Sequence, residues 1–181
     1  MFETKQLILR GYRPTDEDFF LSLFNDYDIL VNLTTEYVTP NIENHRVRLE
    51  GVIKSALCVV VEEKGSYDRI GLALVDIPTP RNLDGEVGIA LKKQAWGKGY
   101  ASEVMEWLVG YSFKGLGLRR LSLFAFSSNT RAIALYEKIG FKHEGRKREA
   151  IWKEGEWVDY VWMGLLSREY PPPDQTLETA V

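Results

Sequence analysis

Residues 86–101 read EVGIALKKQAWGKGYA, a β-patterned run that enters a loop with two glycines and leaves it as a helix. No other segment narrows the fold as much. Ala101, Val104, Met105, Leu108 and Val109 fall at i, i+3, i+4, i+7 and i+8, one apolar helix face. Gly115-Leu116-Gly117 ends that helix. Leu121 to Phe126, LSLFAF, follows as a strand, so Glu86 to Phe126 makes a strand–helix–strand unit suited to a parallel crossover. The first turn of a helix leaves backbone N–H groups unpaired and carries partial positive charge. Gly97 and Gly99 open that backbone to a ligand, and Lys92, Lys93 and Lys98 add charge. The loop fits a phosphate or pyrophosphate cradle. A tight turn with no ligand is the plainer reading of two glycines alone. A Walker loop would need Ser or Thr after Gly97-Lys98, where Gly99 stands, and a dinucleotide fingerprint would need Gly or Ala at Ser102. Gly88, inside the entering strand, marks a bulge or a close backbone approach, or else a crowded core position.

The rest of the chain supplies a sheet for this unit. Leu7 to Arg10 reads as a first strand, and Pro14-Thr15 opens a helix in which Thr15 and Asp18 resemble a capping box. Thr34 to Asn41 reads as a loop, and a second helix follows with Ile42, Leu49, Val52 and Ile53 on one side. Leu57 to Glu62 and Ile70 to Ile77 read as strands around a turn at Lys64 to Asp68. Ser127-Ser128-Asn129 caps a helix through Lys138, with Gly140 as its left-handed end. Runs near Arg146 to Trp152 and Trp157 to Leu165 close the chain as strands around Glu154-Gly155. The order β, α, α, β, β, β, α, β, α, β, β is an α+β pattern around one mixed sheet.

With 181 residues the chain makes one domain, expected over residues 1–170, with 171–181 as a frayed tail. Net charge of −3 disfavours nonspecific nucleic-acid binding. Cys58 is the single cysteine and there are 2 histidines, too few for a four-ligand Cys/His zinc site, so no metal is expected. No run is long and apolar enough to span a membrane, and the start lacks a signal-peptide pattern, so the expectation is a cytoplasmic protein without a membrane partner.

Gln94-Ala95-Trp96-Gly97-Lys98-Gly99 resembles the Gln/Arg-x-x-Gly-x-Gly/Ala signature of the GNAT superfamily of acyl-CoA-dependent N-acetyltransferases. Asn129 to Phe141, NTRAIALYEKIGF, resembles the family's Asn-x-x-Ala-x-x-Leu-Tyr-x-Lys-x-Gly-Phe helix, and the closing strands are similar to those of its ribosomal-protein N-acetyltransferase branch. The resemblance covers Leu7 to about Leu166. It implies a single mixed, mostly antiparallel twisted sheet flanked by helices, with a splayed central strand pair that binds acyl-CoA and a bulge that splays it. It implies acetyl-CoA as co-substrate, its pyrophosphate on Gln94, Ala95, Trp96, Gly97, Lys98, Gly99, Tyr100 and Ala101. Its pantetheine would pair with the strand at Ile89, Ala90 and Leu91. Asn129 and Arg131 would touch the same molecule.

Acyl transfer to a primary amine by direct attack in a ternary complex needs proton removal, a leaving thiolate and orientation. Tyr136 is the candidate general acid, against a core aromatic as the alternative. Glu86 is the candidate general base, through a water, against an ordinary solvent-facing strand residue. A backbone N–H near Ile89 or Ala90 is the oxyanion donor. Glu36, Tyr37 and Asp159 are candidates to line the acceptor site, where a protein N-terminus or a small amine would bind. Cys58 reads as a small core residue, and the reading leaves room for a homodimer. A non-catalytic acyl-CoA-binding module is the other function class. Intact Gln94, Gly97, Gly99, Asn129 and Tyr136 favour the enzyme.

Overall fold

The run LCVVVE is apolar on both faces because the strand it forms is covered on both sides. Val59 and Val61 belong to one core, Val60 to another, as the two-residue period of a strand requires. The computed structural model describes residues 1–170, and the expected tail at 171–181 lies outside them. The strands are β1 (Phe2–Glu3), β2 (Leu7–Gly11), β3 (Leu57–Glu63), β4 (Arg69–Asp76), β5 (Asp84–Leu91), β6 (Arg120–Phe126), β7 (Lys142–Lys153) and β8 (Glu156–Leu166). The helices are α1 (Glu17–Phe24), α2 (Tyr27–Leu30), α3 (Ile42–Lys54), α4 (Tyr100–Lys114) and α5 (Thr130–Ile139).

One mixed sheet runs β1-β2-β3-β4-β5-β6-β8-β7. Every neighbouring pair is antiparallel except β5 and β6, which are parallel and joined by the α4 crossover. Phe20, Phe24 and Leu49 of α1 and α3 pack over Val60, Leu72 and Ala90 on one face. Val104, Met105, Leu108 and Tyr136 of α4 and α5 pack over Val59, Val61, Ala73 and Leu123 on the other. This is the expected α+β architecture. Among the described residues no helix is long and apolar enough to cross a membrane.

Local signals set most boundaries. Asn41 caps α3 by accepting from the Glu43 N–H at 3.0 Å, and Asn129 caps α5 by accepting from the Ala132 N–H at 3.2 Å. Gly140 ends α5 at φ 112°. The start of α1 departs from expectation: Pro14–Asp16 is a 3-10 turn, and Asp16 rather than Thr15 supplies the capping carboxylate, accepting from the Arg13 N–H at 2.8 Å. The reason lies outside the helix. Asp16 is held in place by Arg10, which reaches it through both terminal nitrogens at 2.8 and 2.9 Å.

Candidate active site

The parallel pairing of β5 with β6 stops after three rungs, the last being Glu86 with Ser122. Each strand stays fully paired on its other side: β5 with β4 from Asp76↔Glu86 to Gly71↔Leu91, and β6 with β8 along its length. The sheet therefore forks, as expected. The expected bulge is absent, because the β4–β5 register runs without a shift; the strands diverge instead of one of them buckling. Gly88 is not crowded either, since a Cβ there would meet Leu74 at 3.4 Å, ordinary contact distance.

The ladder decides which β5 groups face the fork. The Lys92 N–H donates to the Ile70 carbonyl at 2.8 Å, so the even-numbered residues of β5 spend their backbone groups on β4. Ala90 turns its N–H away, while Ile89 presents its N–H and C=O to the opening. The Leu91 carbonyl also faces that side but accepts from the Trp96 indole N–H at 2.8 Å.

Beyond β5, Lys93–Ala95 forms a 3-10 turn and Gly97 and Gly99 take φ of 77° and 83°, values only glycine adopts freely. A Cβ on either would meet nothing within 4 Å, so the ground above the loop is open. Among the described residues, no acceptor takes the N–H groups of Gly97, Lys98, Gly99, Tyr100, Ala101 or Ser102. Six successive free donors at a helix start, beside Lys98, fit a pyrophosphate. Gln94 is exposed on the turn and Ala95 is buried beneath it. Arg131 lies over the Trp96 ring at 5.0 Å, which fastens α5 to the loop. The Tyr100 side chain is buried and its hydroxyl bonds to Glu63, so only its backbone faces the loop's open side.

A cavity of about 430 Å³ occupies the fork. Glu86, Gly88, Ile89 and Ala90 of β5 line it, with Leu123 and Phe124 of β6 and Tyr136 of α5. Tyr136 is 9 % exposed and lines the cavity, and no hydrogen bond among the described residues contributes to the environment of its hydroxyl. Burial pushes its pKa up to about 12, so it keeps its proton at neutral pH. Glu86 stands opposite Asp76 in the β4–β5 register and both line the cavity. Desolvation raises the Glu86 pKa, and the negative charges of Asp76 and Asp84 raise it further. Burial lifts the Cys58 thiol to about 11, which suits a core residue and not a nucleophile.

The fork thus brings Tyr136, Glu86, Ile89 and Ala90 together. It leaves out three acceptor candidates. Tyr37 is 91 % exposed, and Glu36 lies 3.7 Å from Arg48 with its side chain in solvent. Asp159 bonds to Arg146 and accepts from the Glu149 N–H at 2.8 Å, which pins Glu149 at φ 48° in an irregular stretch of β7. None of the three lines the cavity. Sequence reasoning missed Asn32, Arg48, Gly51, Ser55, Asp76 and Trp162, which do. Arg48, Gly51 and Ser55 share helical spacing, but their polar and small side chains give no apolar signal. Among the described residues no cluster of three His, Cys, Asp or Glu side chains is arranged to hold a metal ion.

Comparison with known proteins agrees with this geometry. Residues 6–142 match the model of the acetyltransferase (GNAT) domain. An uncharacterized N-acetyltransferase, p20, of Bacillus licheniformis is 28% identical over 92% of this chain and 96% of its own length. Spermidine N(1)-acetyltransferase of Vibrio cholerae is 29% identical over 91% of this chain and 95% of its own. The crystal structure of spermidine N-acetyltransferase from Vibrio cholerae, in complex with CoA and spermine, superposes with a TM-score of 0.80 at 26% identity, covering 91% of this chain and 98% of that one. The chain belongs to the GNAT acetyltransferase family and is an N-acetyltransferase.

Proposed function

We propose that the protein moves the acetyl group of acetyl-CoA to the primary amine of a small acceptor, by direct attack with both substrates bound in the fork. The observation that carries this reading is the end of β5–β6 pairing at Glu86 and Ser122, with the partnerless Tyr136 hydroxyl at the opening. Bound acetyl-CoA supplies an activated acetyl carbonyl. The N–H groups from Gly97 to Ala101, with Lys98, hold the pyrophosphate, and Gln94 and Arg131 flank it. Ile89 would offer its free C=O to the extended pantetheine arm, as a neighbouring strand does, and its free N–H to the acetyl carbonyl oxygen, where negative charge develops. Ala90 and Leu91 contribute by shaping the groove. Asn129 uses its carbonyl oxygen on the α5 cap, which leaves its NH₂ for the pantetheine arm.

The new bond joins the amine nitrogen to the carbonyl carbon, and the carbon–sulfur bond breaks. Glu86 takes the nitrogen's proton through a water, and Tyr136 gives its own to the departing sulfur. Both assignments use environment: burial keeps Tyr136 protonated, and partial desolvation with the charges of Asp76 and Asp84 raises the proton affinity of Glu86. A cavity of about 430 Å³ suits a small acceptor better than a folded protein surface.

The test is release of free CoA from acetyl-CoA against a panel of primary amines. Turnover with a small amine supports the reading, and CoA binding without turnover on any amine or N-terminal peptide overturns it. A pH profile adds a second check. Glu86 accepts a proton only when ionised, so kcat/KM rises with pH through a limb set above the ordinary glutamate value of about 4.3. Glu86→Gln removes that limb and lowers the plateau by roughly 100-fold or more.

A further inference from the structure

Two buried side-chain nitrogens lack a hydrogen-bond partner among the described residues, His45 Nε2 and Arg48 Nε. Both lie on one turn of α3. Buried polar groups are paired as a rule, so such a pair at one place calls for an explanation. Arg48 lines the fork cavity. Its protein contacts are slight: one terminal nitrogen donates to Thr34 Oγ1 at 3.0 Å, and Glu36 stands 3.7 Å away with an exposed carboxylate.

One turn further, Gly51 faces the same cavity. Glycine inside a helix is less favourable than alanine, because it loses more backbone freedom on ordering. Nothing in the protein requires it here, because a Cβ at position 51 would meet no atom within 4 Å and the backbone does not take a positive φ. The sacrifice keeps space open beside a guanidinium. On the sheet side the same cavity carries two carboxylates, Asp76 and Glu86. One always-charged cation and two anions lining a single cavity match a ligand that bears both signs of charge.

We infer that the amine acceptor also carries a carboxylate, which Arg48 takes in the space kept by Gly51, while Asp76 and Glu86 face its ammonium. This rests on the acetyl-transfer reading of the fork. It separates the protein from enzymes that take a bare polyamine, whose second cation would lie against Arg48. The ligand carboxylate replaces Glu36 as the guanidinium's partner. Ser55 does not donate to that carboxylate, since its hydroxyl proton goes to the Val52 carbonyl at 2.6 Å.

The test compares amino acids with their decarboxylated amines: lysine with cadaverine, ornithine with putrescine, phenylalanine with phenethylamine, and spermidine beside them. The wild-type protein is expected to favour the better amino acid over its amine by roughly 10- to 100-fold in kcat/KM, the worth of one charge-assisted hydrogen bond. Arg48→Gln brings that ratio toward one, and Arg48→Lys keeps part of it. Gly51→Leu raises the KM of the amino acid more than that of acetyl-CoA, and it carries the test if Arg48→Gln does not fold. Equal or better turnover of the decarboxylated amines or spermidine by the wild type overturns the inference and leaves acetyl transfer standing. So does an unchanged ratio in Arg48→Gln. CoA binding with no turnover on any amine overturns the transfer reading and this inference with it.

Discussion

Tyr136→Phe is expected to lower kcat by roughly 100- to 1,000-fold, with little change in CoA affinity. The substitution removes one oxygen and keeps the ring, which packs against Phe141 at a centroid distance of 6.0 Å. Folding is little affected, because that hydroxyl has no protein partner to lose among the described residues. The effect falls on the step in which sulfur needs a proton. A thiolate is a tolerable leaving group, so the loss is expected nearer the lower end of the range for general acids. Calorimetric titration with CoA and steady-state kinetics on one preparation separate binding from chemistry. A kcat within a few-fold of wild type would remove Tyr136 from the mechanism, and its place at the fork would be that of a wall.

Asp16→Ala is expected to destabilise the fold by about 3–5 kcal/mol, seen as a fall in Tm of roughly 10 °C or more. Asp16 is 1 % exposed and Arg10 7 %. The Arg10 guanidinium also bonds to Glu62 at 2.6 and 2.8 Å, and Arg69 approaches Asp16 at 3.4 Å. Removing the aspartate leaves a buried cation short of its two-pronged partner and strips the acceptor that holds the 3-10 turn leading into α1. The same pair sets a pH dependence. Hydrogen bonding to Arg10 holds the Asp16 pKa below its ordinary value of about 3.9. Its stabilisation is therefore complete above that value and is lost as pH falls through the lowered one. Thermal melts between pH 2 and 7 check this: Asp16→Asn has a lower plateau and a shallower acid limb than the wild type.

What the sequence discloses and what it hides divide by range. Gln94 to Gly99, Asn129 and Gly140 are legible because each acts on its own few residues of backbone. Tyr136 and Glu86 both line the fork cavity, and each comes to notice only through the motif or the strand that carries it. The register that ends at Glu86 and Ser122 is not legible, since it depends on how two strands 36 positions apart are tilted by what lies on either face. Arg48 and Gly51 read as ordinary surface of α3 until the fold sets that helix over the fork. Glu36, Tyr37 and Asp159 attract notice because they are polar or aromatic near a plausible pocket. Exposure and an ion pair with Arg146 account for them without it. Asp16 is hidden for a similar reason: its partner Arg10 is fixed in turn by Glu62, which comes from a strand far along the chain.

The fork has one more consequence. Sheets ordinarily carry their unpaired backbone at the rim, where it invites a stray strand. Here such an edge lies inside the molecule, between five strands on one side and three on the other. The paired rungs close it at Glu86 and Ser122, and helices flank it on both faces. On the proposed reading this hazard of β-structure becomes a ruler, with the last rung at Glu86 and Ser122 as the stop against which the cofactor's extended arm would be measured.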